Sequence, residues 1–542
     1  MRSGCLVAAL ALSLSAVHAI DPQVPLNYST YEGTPYSNGV TAWLGIRFAA
    51  PPTGNLRFAA PLDPPIVGGV QAADQHGPHC IATAASPSVT NTTSEDCLFL
   101  DVYAPSNAST NAKLPVFFYI QGGGFNANSN ANNNGQGLVA ASGYNIVVVT
   151  FNYRVGPYGF LGGAEVAAGG SLNNGIKDQL KALQWVQCYI TRFGGDPNHV
   201  VVGGSSAGAA SVSLLLTAYA GRNDGLFHAT AAESQSFAAM LTNQESQYSY
   251  DNLVMRTGCA SADNTLACLR SVDIAELQAQ NIATPFPGAQ KAPLYPYAPI
   301  IDGDLVPDYT LRLFQQGKFI HVPTIWGDDT NEGSTFAPKT TSTLGESNSW
   351  LHDQFPPLTL AQIRKLNQLY PVDGTPTFNA TGRYWRQLSN VYGDLRYTCP
   401  GLSISSIYWR AGLPTWNYLW NVEDPAQLAQ GYGVPHTVEV NAIFGPENVA
   451  SGSAPVSYYT GGVNAPIVPI VQRYWTSFVM ALDPNLYRAP GSPQWETWRP
   501  VAEDLDGSRL IFQTGATRMA QVDALTRRRC EYTTSIGVEI RQ

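Results

Sequence analysis

The sequence predicts an α/β domain in which helices flank a large, mostly parallel central sheet. Three observations lead there. Residues 114–120 (LPVFFYI) and 146–152 (IVVVTFN) are short β-branched or aromatic runs ending in turn-forming sequence, as strands buried on both faces do. Residues 178–193 (DQLKALQWVQCYITRF) place Leu180, Leu183, Val186 and Ile190 at helical spacing, then stop at Gly194-Gly195-Asp196-Pro197. Finally, Val200-Val201-Val202 runs directly into GGSSAGAAS, residues 203–211. Strand, helix, strand and tight turn read as βαβ units.

The chain has 542 residues, 44% of them hydrophobic and 13% charged, with a formal net charge of -9. That acidity argues against nucleic acid or an anionic membrane as partner, because both require a basic face. Arg2, the apolar run 5–15 and Val17-His18-Ala19 read as a signal peptide over residues 1–19, cleaved after Ala19. The run is too short to span a membrane and no adequate one follows, so no membrane anchor is expected. Residues 20–542 then form one domain in which nothing marks a linker or a repeat. Residues 330–400 are less regular and rich in Ser, Thr, Pro and Gly. Cleavage removes Cys5 and leaves seven of the 8 cysteines in an oxidising compartment, where disulfides are expected. N-x-S/T sequons at Asn27, Asn91, Asn107 and Asn379 fit a glycosylated, secreted protein.

The GGSSAGAAS stretch contains a G-x-S-x-G pentapeptide in one register only. Ser206 has Gly204 and Gly208 around it, Ser205 meets Ala207 where a glycine would be needed, and Ser211 lacks flanking glycines. Such a pentapeptide between strand and helix lifts a serine hydroxyl clear of the backbone on a strained turn. A nucleophilic serine needs a base, an acid to orient that base, and amides for the oxyanion. His436 stands in a Gly/Pro-rich loop, 431–439, after the strand expected over Thr415–Trp420; His228, His321 and His352 lack such a setting and read as structural. For the acid, residues 323–327 read as a strand followed by Asp328-Asp329-Thr330-Asn331-Glu332-Gly333. Asp328, Asp329 and Glu332 all compete there, beside the plainer reading of a solvated acidic turn. A calcium loop fails, since Lys339 occupies the position of its closing glutamate. Gln121-Gly122-Gly123-Gly124-Phe125 follows a strand and supplies side-chain-free amides suited to an oxyanion.

Taken together, these motifs resemble the type-B carboxylesterase/lipase family, the α/β-hydrolases that include cholinesterases and fungal extracellular lipases. The resemblance runs along nearly the whole mature chain. It covers residues 45–49 (GIRFA), 51–58 (PPTGNLRF), 94–102 (SEDCLFLDV), 121–125 (QGGGF), 152–156 (NYRVG), 193–197 (FGGDP), the serine turn, 331–334 (NEGS) and the His436 loop. It implies an α/β-hydrolase fold and a triad of Ser206, Glu332 and His436, with oxyanion amides at Gly123, Gly124 and Ala207. It also implies ion pairs Arg57–Glu95 and Arg154–Asp196, and disulfides Cys80–Cys97, Cys259–Cys268 and Cys399–Cys530. Cys188 is then left over as a buried free thiol. His76, His79 and Cys80 could suggest a metal site, but Cys80 is committed to its disulfide, and neither metal nor cofactor is expected.

The chain departs from the family at two positions beside the site. Ser205 replaces the glutamate that many relatives carry before the nucleophile, so a buried charge near the triad is expected to be missing. Gln121 stands where histidine or an aromatic residue is common. The stretch between Cys80 and Cys97 is short, polar and free of aromatic residues, without the amphipathic face of a lipase flap. The resemblance implies a secreted serine esterase acting through an acyl-enzyme, and the short polar stretch between Cys80 and Cys97 points to small, dissolved short- to medium-chain esters. The alternatives are an interfacial triacylglycerol lipase and a catalytically inactive adhesion protein of the neuroligin kind.

Overall fold

The computed structural model describes residues 19–83, 92–128, 132–237, 239–502 and 504–542. In chain order, the main-sheet strands are β1 (Thr34–Pro35), β2 (Val40–Arg47), β3 (Phe99–Pro105), β4 (Leu114–Ile120), β5 (Val147–Phe151), β6 (Gly195–Ser205), β7 (Ala229–Glu233), β8 (Thr324–Asp329), β9 (Thr415–Trp420), β10 (Ser508–Phe512) and β11 (Arg518–Gln521). Across the eleven-stranded sheet the order is β11-β10-β9-β8-β7-β6-β4-β5-β3-β2-β1. Neighbours from β5 through β10 are parallel, and the strands at both edges run antiparallel. Alternation along β4 divides the core. Val116, Phe118 and Ile120 join one buried cluster, while Phe117 and Tyr119 join the cluster on the opposite face. Both faces are therefore covered, which is why these strands read as continuous apolar runs.

The predicted helix over 178–193 begins earlier, as α1 (Asn174–Tyr189), and ends in a 3-10 turn over Ile190–Phe193. Leu183, Val186 and Ile190 are buried on its inner face. Helix α2 (Ala207–Thr217) is buried at every residue, so it is an internal helix with no solvent face. The stretch 330–400 departs from expectation, because it is largely helical: Leu344–Gln354, Leu360–Leu369, α3 (Trp385–Gly393), a π-turn over Asp394–Thr398 and the start of α4 (Cys399–Arg410). Part of its Ser/Thr content is helix punctuation. Thr343 and Thr359 are N-caps that close capping boxes with Glu346 and Gln362.

Arg57 forks onto Glu95, at 2.6 and 2.7 Å, as expected. Arg154 does not pair with Asp196. It forks onto Asp178 of α1, at 2.8 and 2.7 Å, with both side chains buried. Asp178 lies inside the longer helix and faces the end of β5, whereas Asp196 accepts the Asn198 N–H in its own turn. Cys80–Cys97, Cys259–Cys268 and Cys399–Cys530 are bonded. Cys188 is half-buried rather than buried, and it is not a free thiol. Residues 1–18 of the expected signal peptide, residues 1–19, lie outside the described residues. Asn27, Asn107 and Asn379 are exposed, and Asn91 lies outside the described residues.

Cys399–Cys530 ties α4 to the C-terminal helix Ala524–Ile536 across a sequence separation of 131. Removing a native bridge typically costs about 2–5 kcal/mol. The double variant Cys399→Ser/Cys530→Ser should therefore unfold several degrees below wild type in a thermal scan. An unchanged transition would show that packing alone holds this corner.

Candidate active site

The loops that follow β4, β6, β8 and β9 meet at the C-terminal edge of the parallel strands, where open α/β sheets place their ligand sites. Ser206 sits between β6 and α2 with φ 57° and ψ -118°, a left-handed conformation that costs a non-glycine residue about 1–3 kcal/mol. The flanking glycines permit it. A Cβ on Gly208 would overlap the carbonyl of Ile120 at the end of β4, and one on Gly204 would strike Gly208. The three serines separate physically. The fully buried Ser205 accepts the Tyr119 hydroxyl at 2.9 Å, and Ser211 donates to the carbonyl of Ala207 at 2.9 Å. Ser206 alone of the three retains surface, at 8% exposure.

Gly123 and Gly124, after β4, have φ of 114° and 61°. Asn126 fixes this loop by donating to the carbonyls of Gly124 and Tyr297, each at 2.7 Å. The N–H groups of Gly123, Gly124 and Ala207 have no acceptor among the described residues, whereas that of Ser206 is spent on the Glu233 carbonyl at 3.0 Å. The Gln121 side chain turns away from the cleft and donates to Asn128 and Asn152, at 2.9 and 3.0 Å. It supports the loop from beneath.

His436 and Glu332 are hydrogen-bonded, Nδ1 to Oε2. Their loops are zipped together: the Asn331 N–H donates to the Val434 carbonyl at 2.9 Å, and the Val434 N–H donates to the Asn331 side chain at 3.0 Å. The other two candidate acids lie on β8 itself, which runs on to Asp329. All three are buried, at 0%, 1% and 2% exposure, so the reading of a solvated turn is overturned. Asp329 Oδ2 accepts the Ser234 hydroxyl and the Val438 N–H, each at 3.2 Å, and so holds the chain just beyond His436. The Asp328 carboxyl has no hydrogen-bond partner among the described residues and lies beside Gly401 of α4. Burial pushes the carboxyl of Glu332 up, to about 8, and the imidazole of His436 down, to about 3, with the Arg396 charge adding to the fall. Both shifts favour a neutral imidazole. The Nε2 of His436 is buried with no hydrogen-bond partner among the described residues.

The missing buried charge beside the elbow is a further correction. Glu233 at the end of β7 pairs in register with Ser205, accepts the Gly204 N–H at 3.1 Å and the Trp475 indole at 2.7 Å, and is fully buried. A carboxyl group thus lies on the neighbouring strand rather than beside the nucleophile in sequence. Glu439, three residues after His436, is also buried and accepts the hydroxyls of Tyr418 and Ser234, at 3.0 and 3.3 Å. Neither residue carried a sequence signal, and neither did the aromatic wall. Tyr397 and Phe336 lie 4.3 and 5.0 Å from the His436 ring, centroid to centroid.

Residues 20–532 match the carboxylesterase family. The chain belongs to that family. This carboxylesterase is 32% identical to Secreted lipase 4 of Gibberella zeae, over 91% of its own length and 87% of the relative's. It is 33% identical to Lipase 2 of Geotrichum candidum, over 74% and 80%. Its fold is similar to the crystal structure of Aspergillus niger EstA, with a TM-score of 0.92 at 42% identity, covering 96% of this chain and 99% of that one. The carboxylesterase therefore has the α/β-hydrolase fold and is a carboxylic ester hydrolase. No helix among its described residues is long and apolar enough to cross a membrane.

Proposed function

We propose that this carboxylesterase is a secreted serine esterase with Ser206 as nucleophile, His436 as base and Glu332 as the orienting acid. His436 takes the Ser206 proton as the hydroxyl attacks the ester carbonyl, and the N–H groups of Gly123, Gly124 and Ala207 receive the oxyanion. The imidazolium then protonates the departing alcohol, and water attacks the acyl-enzyme by the same route. One observation supports the reading: His436 is hydrogen-bonded to Glu332, while Ser206 has a strained backbone and the N–H groups of Gly123, Gly124 and Ala207 have no acceptor among the described residues. Cleavage after Ala19 and glycans at Asn27, Asn91, Asn107 and Asn379 belong to the same proposal, as does an extracellular address.

The substrates are dissolved, short- to medium-chain esters. An interfacial enzyme must hide an apolar face in water and expose it at oil, which requires an amphipathic flap. The polar stretch between Cys80 and Cys97, with a sequence separation of 17, offers none; residues 84–91 of it lie outside the described residues. Of the apolar side chains that could build a wall elsewhere, Phe125 and Phe286 are buried and Trp350 packs on Tyr392. The rate on tributyrin should saturate below its solubility limit and show no jump as emulsion forms. A sharp rise above that limit, with preference for triolein, would establish a lipase instead.

A further inference from the structure

Arg396 is a buried cation, 8% exposed, whose Nε has no hydrogen-bond partner among the described residues. Among the described residues it forms no ion pair, whereas the buried Arg57 and Arg154 are each forked onto a carboxylate. Its surroundings are the rings of Tyr295 and Tyr397, whose centroids lie 5.1 and 6.0 Å from its guanidinium carbon, with the Tyr397 side chain as its polar neighbour. Aromatic faces attract a cation but offset only part of its lost hydration. Nor can arginine escape by losing a proton.

The location explains what such a charge could serve. Tyr295 lies over Gly124 so closely that a Cβ there would overlap the ring. Tyr397 packs against His436. Arg396 is thus one ring away from the glycine loop and one ring away from the imidazole. It stands on the π-turn Asp394–Thr398, the kind of local widening that often marks functional positions. The turn is pinned on both sides: the Phe237 N–H donates to the Arg396 carbonyl at 3.0 Å, and the Gln542 side chain donates to the Leu395 carbonyl at 2.7 Å. Glu332 forms no ion pair with Arg396 among the described residues; its oxygens bond to His436 and accept the Asp329 N–H.

We infer that Arg396 recognises a second, ionised carboxylate on the substrate, so that the preferred esters carry an anionic group as well as the scissile bond. This rests on the proposed esterase reading and narrows its substrate class. A guanidinium fork matches a carboxylate with two parallel hydrogen bonds, and in a site closed to water such charge-assisted bonds discriminate strongly. An ester of this kind is also water-soluble, which fits a site without a lipase flap.

The test compares kcat/KM within isosteric pairs at pH 7. One pair varies the acyl side, mono-p-nitrophenyl adipate against p-nitrophenyl hexanoate. The other varies the alcohol side, 4-carboxyphenyl butyrate against 4-carbamoylphenyl butyrate. In one of these pairs the wild type should favour the anionic ester, and Arg396→Gln should lower that preference by about 10- to 100-fold, as expected for losing a hydrogen bond to a charged group. Arg396→Lys should restore part of it. A merely structural arginine would leave the ratio unchanged, and an unchanged ratio in both pairs overturns the assignment. Independently of any variant, adipate should inhibit wild-type hydrolysis of p-nitrophenyl butyrate competitively at concentrations where adipamide does not; equal behaviour of the two also overturns it. If the wild type hydrolyses neither neutral ester, the esterase reading itself fails, which is a distinct outcome.

Discussion

Replacing Ser206 by alanine should lower kcat on p-nitrophenyl butyrate by about 10⁵- to 10⁶-fold, the loss seen when a serine hydrolase is deprived of its nucleophile. The fold should survive, because the hydroxyl is not used to hold the elbow. The Ser206 N–H and the helix behind it carry that task, through the bond to the Glu233 carbonyl and the close contact of Gly208 with β4. Thermal unfolding should shift little, because alanine keeps the Cβ and with it the same backbone strain at φ 57°. A phosphonate ester should add its phosphorus to Ser206 Oγ, readable by mass spectrometry of the digested adduct. Labelling of Ser205, or substantial turnover by pure Ser206→Ala protein, would overturn the proposed nucleophile. Ser205 is a demanding control because it is adjacent in sequence yet fully buried under the Tyr119 hydroxyl.

Glu332→Gln should lower kcat by about 10⁴-fold, the scale observed when a triad acid becomes an amide. Two physical losses combine. The imidazolium formed in the transition state loses its counter-charge in a buried site, and an amide can hold the neutral ring in the wrong tautomer. Asp329→Asn should cost far less. Its Oδ2 serves as acceptor for Ser234 and Val438, a role an amide oxygen can keep. Asp328→Asn should matter less still, since that side chain touches neither His436 nor its loop. Steady-state kinetics on the three variants checks the ranking. If Asp329→Asn proved as damaging as Glu332→Gln, the acid would have been misassigned, or positioning of residues 437–438 would outweigh the counter-charge.

Buried acids crowd this end of the sheet, and they cannot all be ionised together. Burial raises Asp328, Asp329, Glu233, Glu332 and Glu439 alike. The Glu439 charge adds to the rise of Asp329, and the two carboxyl groups share the Ser234 hydroxyl, at 3.2 and 3.3 Å. Of these acids, Glu332 alone is bonded to the imidazole of His436 among the described residues, and it also accepts the Asp329 N–H.

What was legible in the sequence is what depends on local spacing. The strands at Leu114–Ile120 and Thr415–Trp420 were visible because burial on both faces demands unbroken apolar runs. The register of the elbow was visible because only glycine fits two residues before and after a serine packed against β4. Tertiary structure decided everything that depends on which chain segments meet. Strand alternation sends Asp328 and Asp329 to opposite faces, and the Asn331–Val434 zipper carries Glu332 to His436; no spacing rule encodes either. Arg154 met Asp178 because a helix began four residues earlier than its apolar period suggested. Glu233 could not be seen as a neighbour of Ser205, since parallel register between β6 and β7 is set by the crossover connecting them. Arg396 was the least legible of all: an arginine is noticed in sequence by its charge, whereas only folding buries it between Tyr295 and Tyr397, with no ion pair among the described residues.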